Sequence, residues 1–336
     1  MSLRLRLLVV IGTLLPLVPG CVLVTGTFSL FDSKPHPLEE RVISGEAAAK
    51  ILLIDISNVI TSQEDVDGFW GTPESTLGRV EAELNLAAKD EAVKAVVVRI
   101  NSPGGTVNAS DSIFHQLQAF KEAKSIPVVA HFMDVAASGG YYVALAADEI
   151  VASPTSVTGS VGAVAYGINL RELMKKIGVE NQTIKSGAKK DIGSPLREMS
   201  REEQEVLQSV IDGMRDRFLA LVRERRPGVG AGELDTIRDG RIFGADQALA
   251  VGLVDRIGYL QDAVDVAKRR ARLHDARVIM YRRPREYSEG IYSRSAAPQV
   301  EVSLLRLGSG GSNIPNPGFL YLWMPDLLSP EVGSIR

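Results

Sequence analysis

Two apolar patterns alternate along the chain. "KILLIDISNVI" from Lys50 and "VKAVVVRI" from Val93 are dense Ile/Leu/Val runs of the kind buried on both faces of a parallel sheet. Between them Val80, Leu84, Ala87 and Ala88 recur at helical spacing. A third buried run, "SIPVVAHFM" from Ser125, follows a helical segment over 109–124, and "DEIVASP" from Asp148 is a short fourth. Ser200 and Glu203 form a capping box that opens a long amphipathic helix through Val206, Val210, Met214, Phe218 and Leu221. "RIFGADQALAVGLVDRIG" then reads as a strand-like entry, a short helix and a return, and "YLQDAVDVAKRRARL" as a closing helix. Strand and helix in alternation predict an α/β fold of layered βαβ units. Beyond Ala276 no period is legible, and the apolar stretch Leu320–Met324 is too short to span a membrane. It reads as a segment packed on its own or a neighbouring body.

The first residues are of another kind. Arg4 and Arg6 precede an apolar run from Leu7 to Val18, and Gly20 stands before Cys21, the single cysteine. That is the layout of a bacterial export signal, and "VPGC" resembles a lipobox whose cysteine would be lipidated. The apolar character continues through "CVLVTG", so an uncleaved anchor of roughly 18 residues is the alternative. Either way the expectation is a body tethered to a bacterial cell membrane on its extracytoplasmic side. The organisation expected is a signal peptide over 1–20 or an anchor over 1–27, a polar linker over 28–49, a catalytic body over 50–275 and a tail over 276–336. One cysteine leaves no internal disulfide. The net charge of -3 comes from mixed signs with no basic stripe, which argues against nucleic acid as a partner. His36, His115, His131 and His274 are scattered without metal-ligand spacing, so no metal is expected.

The candidate chemistry lies where buried strands end, because sites in open α/β sheets assemble there. The second strand delivers "NSPGG" and the third "DVAASGG". Ser138 has two readings, an N-cap on a helix packed closely against the sheet, or a nucleophile at a helix N-terminus. Gly104 and Gly105 let a backbone approach a substrate, and a Gly105 N–H with that of Gly139 would make an oxyanion hole. A tight turn without a ligand is the plain alternative. The base is not an obvious histidine, since His115 falls in a helix and His131 in a buried strand. Lysine can serve where burial keeps its amine neutral, and "IKSGAKKDIGSP" offers Lys185, Lys189 and Lys190.

Four segments in order, "INSPGGTV", "AASGGYYVALAADEIVASPTSVTGSVGA", "KSGAKKDIGSPLREMSREE" and "RIFGADQALAVGLVD", resemble the signal peptide peptidase SppA family of serine proteases over roughly Ile51 to Ala271. The resemblance implies a crotonase/Clp-protease-like fold of stacked ββα units in a superhelix. It also implies a Ser-Lys dyad without cofactor, with Ser138 as nucleophile and Lys190 as base. Gly105 and Gly139 match oxyanion-hole positions, and Ser160 in "TGSVG" matches a serine that orients the lysine. Lys189 is the alternative base. The substrates implied are remnant signal peptides or other short, unfolded peptides. A chain with one copy of this body would share its dyad between protomers of a homo-oligomer. Two rivals are a catalytically silent membrane scaffold of the same fold and a crotonase-type acyl-CoA enzyme.

Overall fold

The computed structural model describes residues 37–63, 75–283 and 319–323. The export signal, Cys21 and most of the tail lie outside the described residues.

Three strands form the centre, β2 (Lys50–Ser57), β3 (Val93–Ser102) and β5 (Val128–Ala137), parallel and adjacent. Their side chains alternate between two apolar layers, as the period of a strand requires. Leu52, Ile54, Ile56, Val96, Val98 and Ile100 fill one layer, and Ile51, Leu53, Ala95, Val97 and Val129 the other. The first layer is closed by α1 (Thr76–Lys89), α2 (Val107–Lys124), the short α3 (Gly139–Ala144) and Phe218 and Val222 of the long α5 (Arg201–Arg225). The second is closed by α8 (Leu260–Arg270) through Leu260, Ala263, Val264 and Ala267. Both faces of the sheet are therefore covered, which is why these strands read as continuous apolar runs.

Parallel strands continue the sheet on both sides. β10 (Arg277–Arg282) pairs with β2, and β6 (Glu149–Ala152) with β5, followed by β9 (Arg256–Ile257). β1 (Glu39–Ser44) closes one edge antiparallel to β10. β1 falls in the polar stretch before residue 50 and β10 after residue 276, so the sheet draws on both flanks of the expected body. β5 is shared along its length, its first half pairing with β6 and Val135–Ala137 with β7 (Val157–Gly159), which in turn pairs with β8 (Ile242–Gly244). The chain from β7 to β8 contains α4 (Arg171–Lys176), α5 and α6 (Ala231–Ile237); α7 (Ala245–Ala250) follows β8. Two small strands complete the set, β4 (Gly104–Thr106) and β11 (Leu320–Leu322), paired antiparallel. The α/β class and the strand-helix order match the expectation. The Ser200–Glu203 box is formed, Glu203 N donating to Ser200 Oγ at 3.2 Å and Ser200 N to Glu203 Oε2 at 2.9 Å. No described helix is long and apolar enough to cross a membrane.

One buried cluster is ionic. Asp55 on β2 pairs with Arg99 on β3 at 2.7 Å, while Arg79 of α1 donates to Glu83 at 2.7 Å and to the Asp55 carbonyl. Burial raises the Glu83 carboxyl to about 7, outweighing the pull of Arg79, and its Oε2 has no hydrogen-bond partner. The unfolded chain therefore loses this proton at lower pH than the fold does, and the linkage sign is negative: stability falls as pH rises from 4.5 towards 7. Relative to wild type, Glu83→Gln should gain stability over that window, by up to about 3 kcal/mol. Urea unfolding of both proteins at pH 5 and pH 8 measures the difference, and a pH-independent offset would contradict the raised carboxyl.

Candidate active site

β3 and β5 end side by side, with Ser102 in register with Ala136. After Ser102 the chain turns through Pro103 into β4, and Gly104 at φ 103° takes a conformation that favours glycine. Ile60 N donates to Gly104 O at 2.8 Å and Thr106 N to Ile60 O at 2.9 Å, so the Ile60 backbone grips β4 along one edge. The backbone groups of Gly105 face the other edge. A Cβ on Gly105 would lie 2.6 Å from the Ile60 backbone nitrogen, where no main chain can yield cheaply.

β5 runs one residue short of Ser138, which adopts φ 52° and ψ -116°. This sparsely populated backbone is costly for a residue with a side chain, by about 1–3 kcal/mol, and such outliers gather at functional sites. The turn is fastened at both ends: Ser138 N donates to Gly159 O, and Tyr142 N to Ser138 O, each at 2.8 Å. The Ser138 side chain makes no capping hydrogen bond to α3, so the N-cap reading fails. The small residues after it have a packing reason. A Cβ on Gly139 would run into Ser110 Oγ and sit 3.1 Å from Gly105 N, and one on Gly140 would lie 2.9 Å from Ser102 O. Gly105 and Gly139 therefore meet backbone to backbone beside Ser138, which is 1% exposed. Ser160 follows Gly159 at φ 52°, its N–H donating to Arg241 O at 2.8 Å, and so begins one residue from the carbonyl that holds Ser138.

The lysines are elsewhere. Lys185, Lys189 and Lys190 lie on an exposed loop between α4 and α5, and no hydrogen bond or ion pair of this chain links them to Ser138. The loop is ordered by charge. Arg197 donates to both carboxylate oxygens of Asp191 at 2.7 Å and to Glu203, the capping residue of α5. Arg197 holds the Asp191 carboxyl well below its usual range and the Glu203 carboxyl down at about 2. Lys185 is paired with Asp191 and Lys189 with Glu202, each at 2.7 Å. Lys190 carries no such partner among the described residues. An ion-paired amine is held protonated, which makes Lys185 and Lys189 poor bases as they stand.

The histidines do not fill the gap. His131 is buried in the middle of β5, and burial pushes its imidazole down to about 4. Seven residues of strand, on the order of 20 Å, separate it from Ser138. His115 is exposed on α2. No cluster of metal-ligating side chains occurs among the described residues. One participant was missed from sequence: the segment Phe319–Trp323 lies along the edge of β4, on the side of Gly105 opposite Ile60. Its only signal was an apolar stretch with no period.

The Peptidase family S49 model matches residues 120–274. The chain is 33% identical over 282 residues to a protein of Enterococcus faecium described as a signal peptide peptidase SppA, covering 82% of this chain and 81% of that one. It is 37% identical over 203 residues to Protease 4 of Salmonella typhi, 60% of this chain and 32% of that one. A ClpP1 variant from Listeria monocytogenes superposes with a TM-score of 0.41 at 18% identity, over 63% of this chain and 94% of that one.

Gly105→Ala should be doubly damaging, because its methyl group must displace either Ile60 or the backbone beside Ser138. The expected outcome is a loss of about 1–3 kcal/mol in thermal unfolding together with loss of peptide cleavage. A stable, fully active Gly105→Ala protein would show that the close approach is not required.

Proposed function

Because this chain belongs to the S49 serine peptidases of the signal peptide peptidase SppA family, we propose that its reaction runs on Ser138 with Lys190 of a neighbouring copy as the base. The observation that carries this is the strained turn at Ser138 set against the backbones of Gly105 and Gly139. Ser138 Oγ attacks the scissile carbonyl, the neutral lysine amine takes its proton and returns it to the leaving amine, and water then releases the acyl group by the same path. The Gly105 and Gly139 N–H groups hold the oxyanion, and one such donor is worth roughly 10²–10³ in kcat. Ser160, on the turn that fastens Ser138, orients the lysine. Family membership sets aside the acyl-CoA enzyme and the silent scaffold.

Two features support a base supplied from outside the chain. Lys190 stands exposed on a loop that is braced from behind by Arg197. The same stretch exposes apolar side chains that a lone chain leaves to water, among them Leu173 at 55%, Ile177 at 66% and Ile184 at 99%. A second copy of this chain covers that face and brings its own Ser138 to the lysine, as a homo-oligomer. The substrates are short or unfolded peptides such as remnant signal peptides. The body is tethered to the membrane on its extracytoplasmic side through the N-terminal apolar run, with Cys21 as the lipidation site.

Ser138→Ala and Lys190→Ala should each abolish peptide cleavage while leaving the oligomer intact, and Lys189→Ala should retain most activity. Mixing the two inactive proteins before assembly should restore about a quarter of the wild-type sites, since each shared site then has an even chance of each correct donor. No recovery would place both groups of the dyad in one chain. Loss of activity in Lys189→Ala with retention in Lys190→Ala would reassign the base.

A further inference from the structure

The segment Phe319–Trp323 has the geometry of a bound peptide. It is extended and lies between two partners. Val107 N donates to Phe319 O at 3.3 Å and Trp323 N to Pro103 O at 2.8 Å, while the residue between, Leu320, turns its N–H and C=O to Val164 at 3.0 and 2.9 Å. In an antiparallel ladder the bonded pairs alternate. With bonds at Phe319 and Trp323, the Tyr321–Gly105 pair is also of the bonded kind, so the Gly105 N–H points at the Tyr321 carbonyl. That carbonyl also lies against the other glycines of the site: a Cβ on Gly139 would be 3.1 Å from Tyr321 O, and one on Gly104 would overlap it.

The side chain completes the picture. Tyr321 is fully buried in a pocket made by α3 and α5, stacked on Tyr142 at 5.2 Å between ring centroids and against Phe218 at 4.9 Å. Its hydroxyl donates to Met214 O at 2.8 Å, so the pocket takes an aromatic ring and satisfies a para hydroxyl. Tyr142 is in turn fixed by its bond to Asp111 at 2.6 Å. A residue whose carbonyl faces the oxyanion donors and whose side chain enters a pocket beside the nucleophile occupies the position on the acyl side of a scissile bond.

We propose that Phe319–Trp323 is a resident occupant of the peptide-binding strand, that it competes there with external peptides, and that the Tyr142–Phe218 pocket selects substrates with an aromatic residue on the acyl side of the cleaved bond. The proposal rests on the reading of Ser138 and Gly105 as the site. Recognition is by strand addition, main-chain bonds to β4 and Val164 supplying affinity and the pocket supplying choice. A tethered competitor weakens the apparent affinity of a free peptide by the fraction of time the site stands open.

Binding separates this proposal from the catalytic one. In the full-length Ser138→Ala protein, the affinity of a fluorescein-labelled Phe-Leu-Tyr-Leu-Trp peptide is measured by anisotropy, with and without a second change in the resident segment. Leu320→Pro removes the N–H given to Val164 and leaves Tyr321 in place; Tyr321→Ala empties the pocket. Both should tighten peptide binding at least tenfold, and replacing the peptide's Tyr with Ala should weaken it at least tenfold. Equal affinity with and without Leu320→Pro, or indifference to the peptide's aromatic residue, would overturn the proposal and make Tyr321 a core residue only. Should Tyr321→Ala fail to fold, the Leu320→Pro and peptide-variant arms decide alone. Activity persisting in Ser138→Ala would defeat the dyad without touching these binding results.

Discussion

Where β3 and β5 end, two main chains approach so closely that a single methyl group cannot stand between them. Methyl groups on Gly104, Gly105, Gly139 or Gly140 would each meet a backbone atom of a neighbouring strand or turn at 3.1 Å or less. This contact sets the rest of the site. It places two N–H groups beside one serine, and it forces that serine into a positive φ that a relaxed helix entrance would avoid. The cost is offset locally, by Ser138 N to Gly159 O on one side, Tyr142 N to Ser138 O on the other, and the Ile60 backbone gripping β4. Each support comes from a different element, so the strained turn is held by the sheet as a whole. A nucleophile held this way needs no reorganisation when it reacts, which is where preorganised donors gain their advantage.

The loop that carries the lysines is held by a different kind of force. Few apolar contacts anchor it, and its order comes from Arg197, which joins Asp191 of the loop to Glu203 of the α5 cap. Glu203 thus has two tasks, closing the first turn of a helix and anchoring the loop before it. The result is a charged, shaped projection with exposed apolar residues beside it. Within one chain such a surface has no purpose; against a second copy it delivers an amine. The single copy of this body and the separation of Lys190 from Ser138 lead to the same conclusion from independent starting points.

Much of the sheet is legible in the sequence because β2, β3 and β5 are buried on both faces and their composition cannot be confused with a solvated strand. β1 and β10 are less so: β1 is an exposed edge strand, its side chains charged and solvated, and β10 mixes Arg277 and Arg282 with apolar residues. Ser138 illustrates a sharper limit. Its neighbours fit a capped helix as well as a reactive turn, and only the φ angle and the absent capping bond separate the two. Those depend on Gly105 and Gly159, which approach it through tertiary pairing and are invisible to any local window. The order of the glycine, serine and lysine segments carried the information that their individual patterns lacked.

The tail marks the furthest limit of local reading. "FLYLW" has neither the alternation of a half-buried strand nor the length of a membrane span, because its three residues of strand answer to three separate demands. Leu320 bonds outward to Val164, Tyr321 inward to β4 and the aromatic pocket, and Trp323 to Pro103. A segment selected to complete a core would be expected to match its neighbours mainly through side chains. This one is matched through its main chain at successive residues and through a single deep side chain, which is how an extended peptide is recognised by a site that must accept many sequences. The burial of Tyr321 and the occupancy of the site are thus one arrangement, and the Tyr142–Phe218 shelf serves the core only while the tail stays in place.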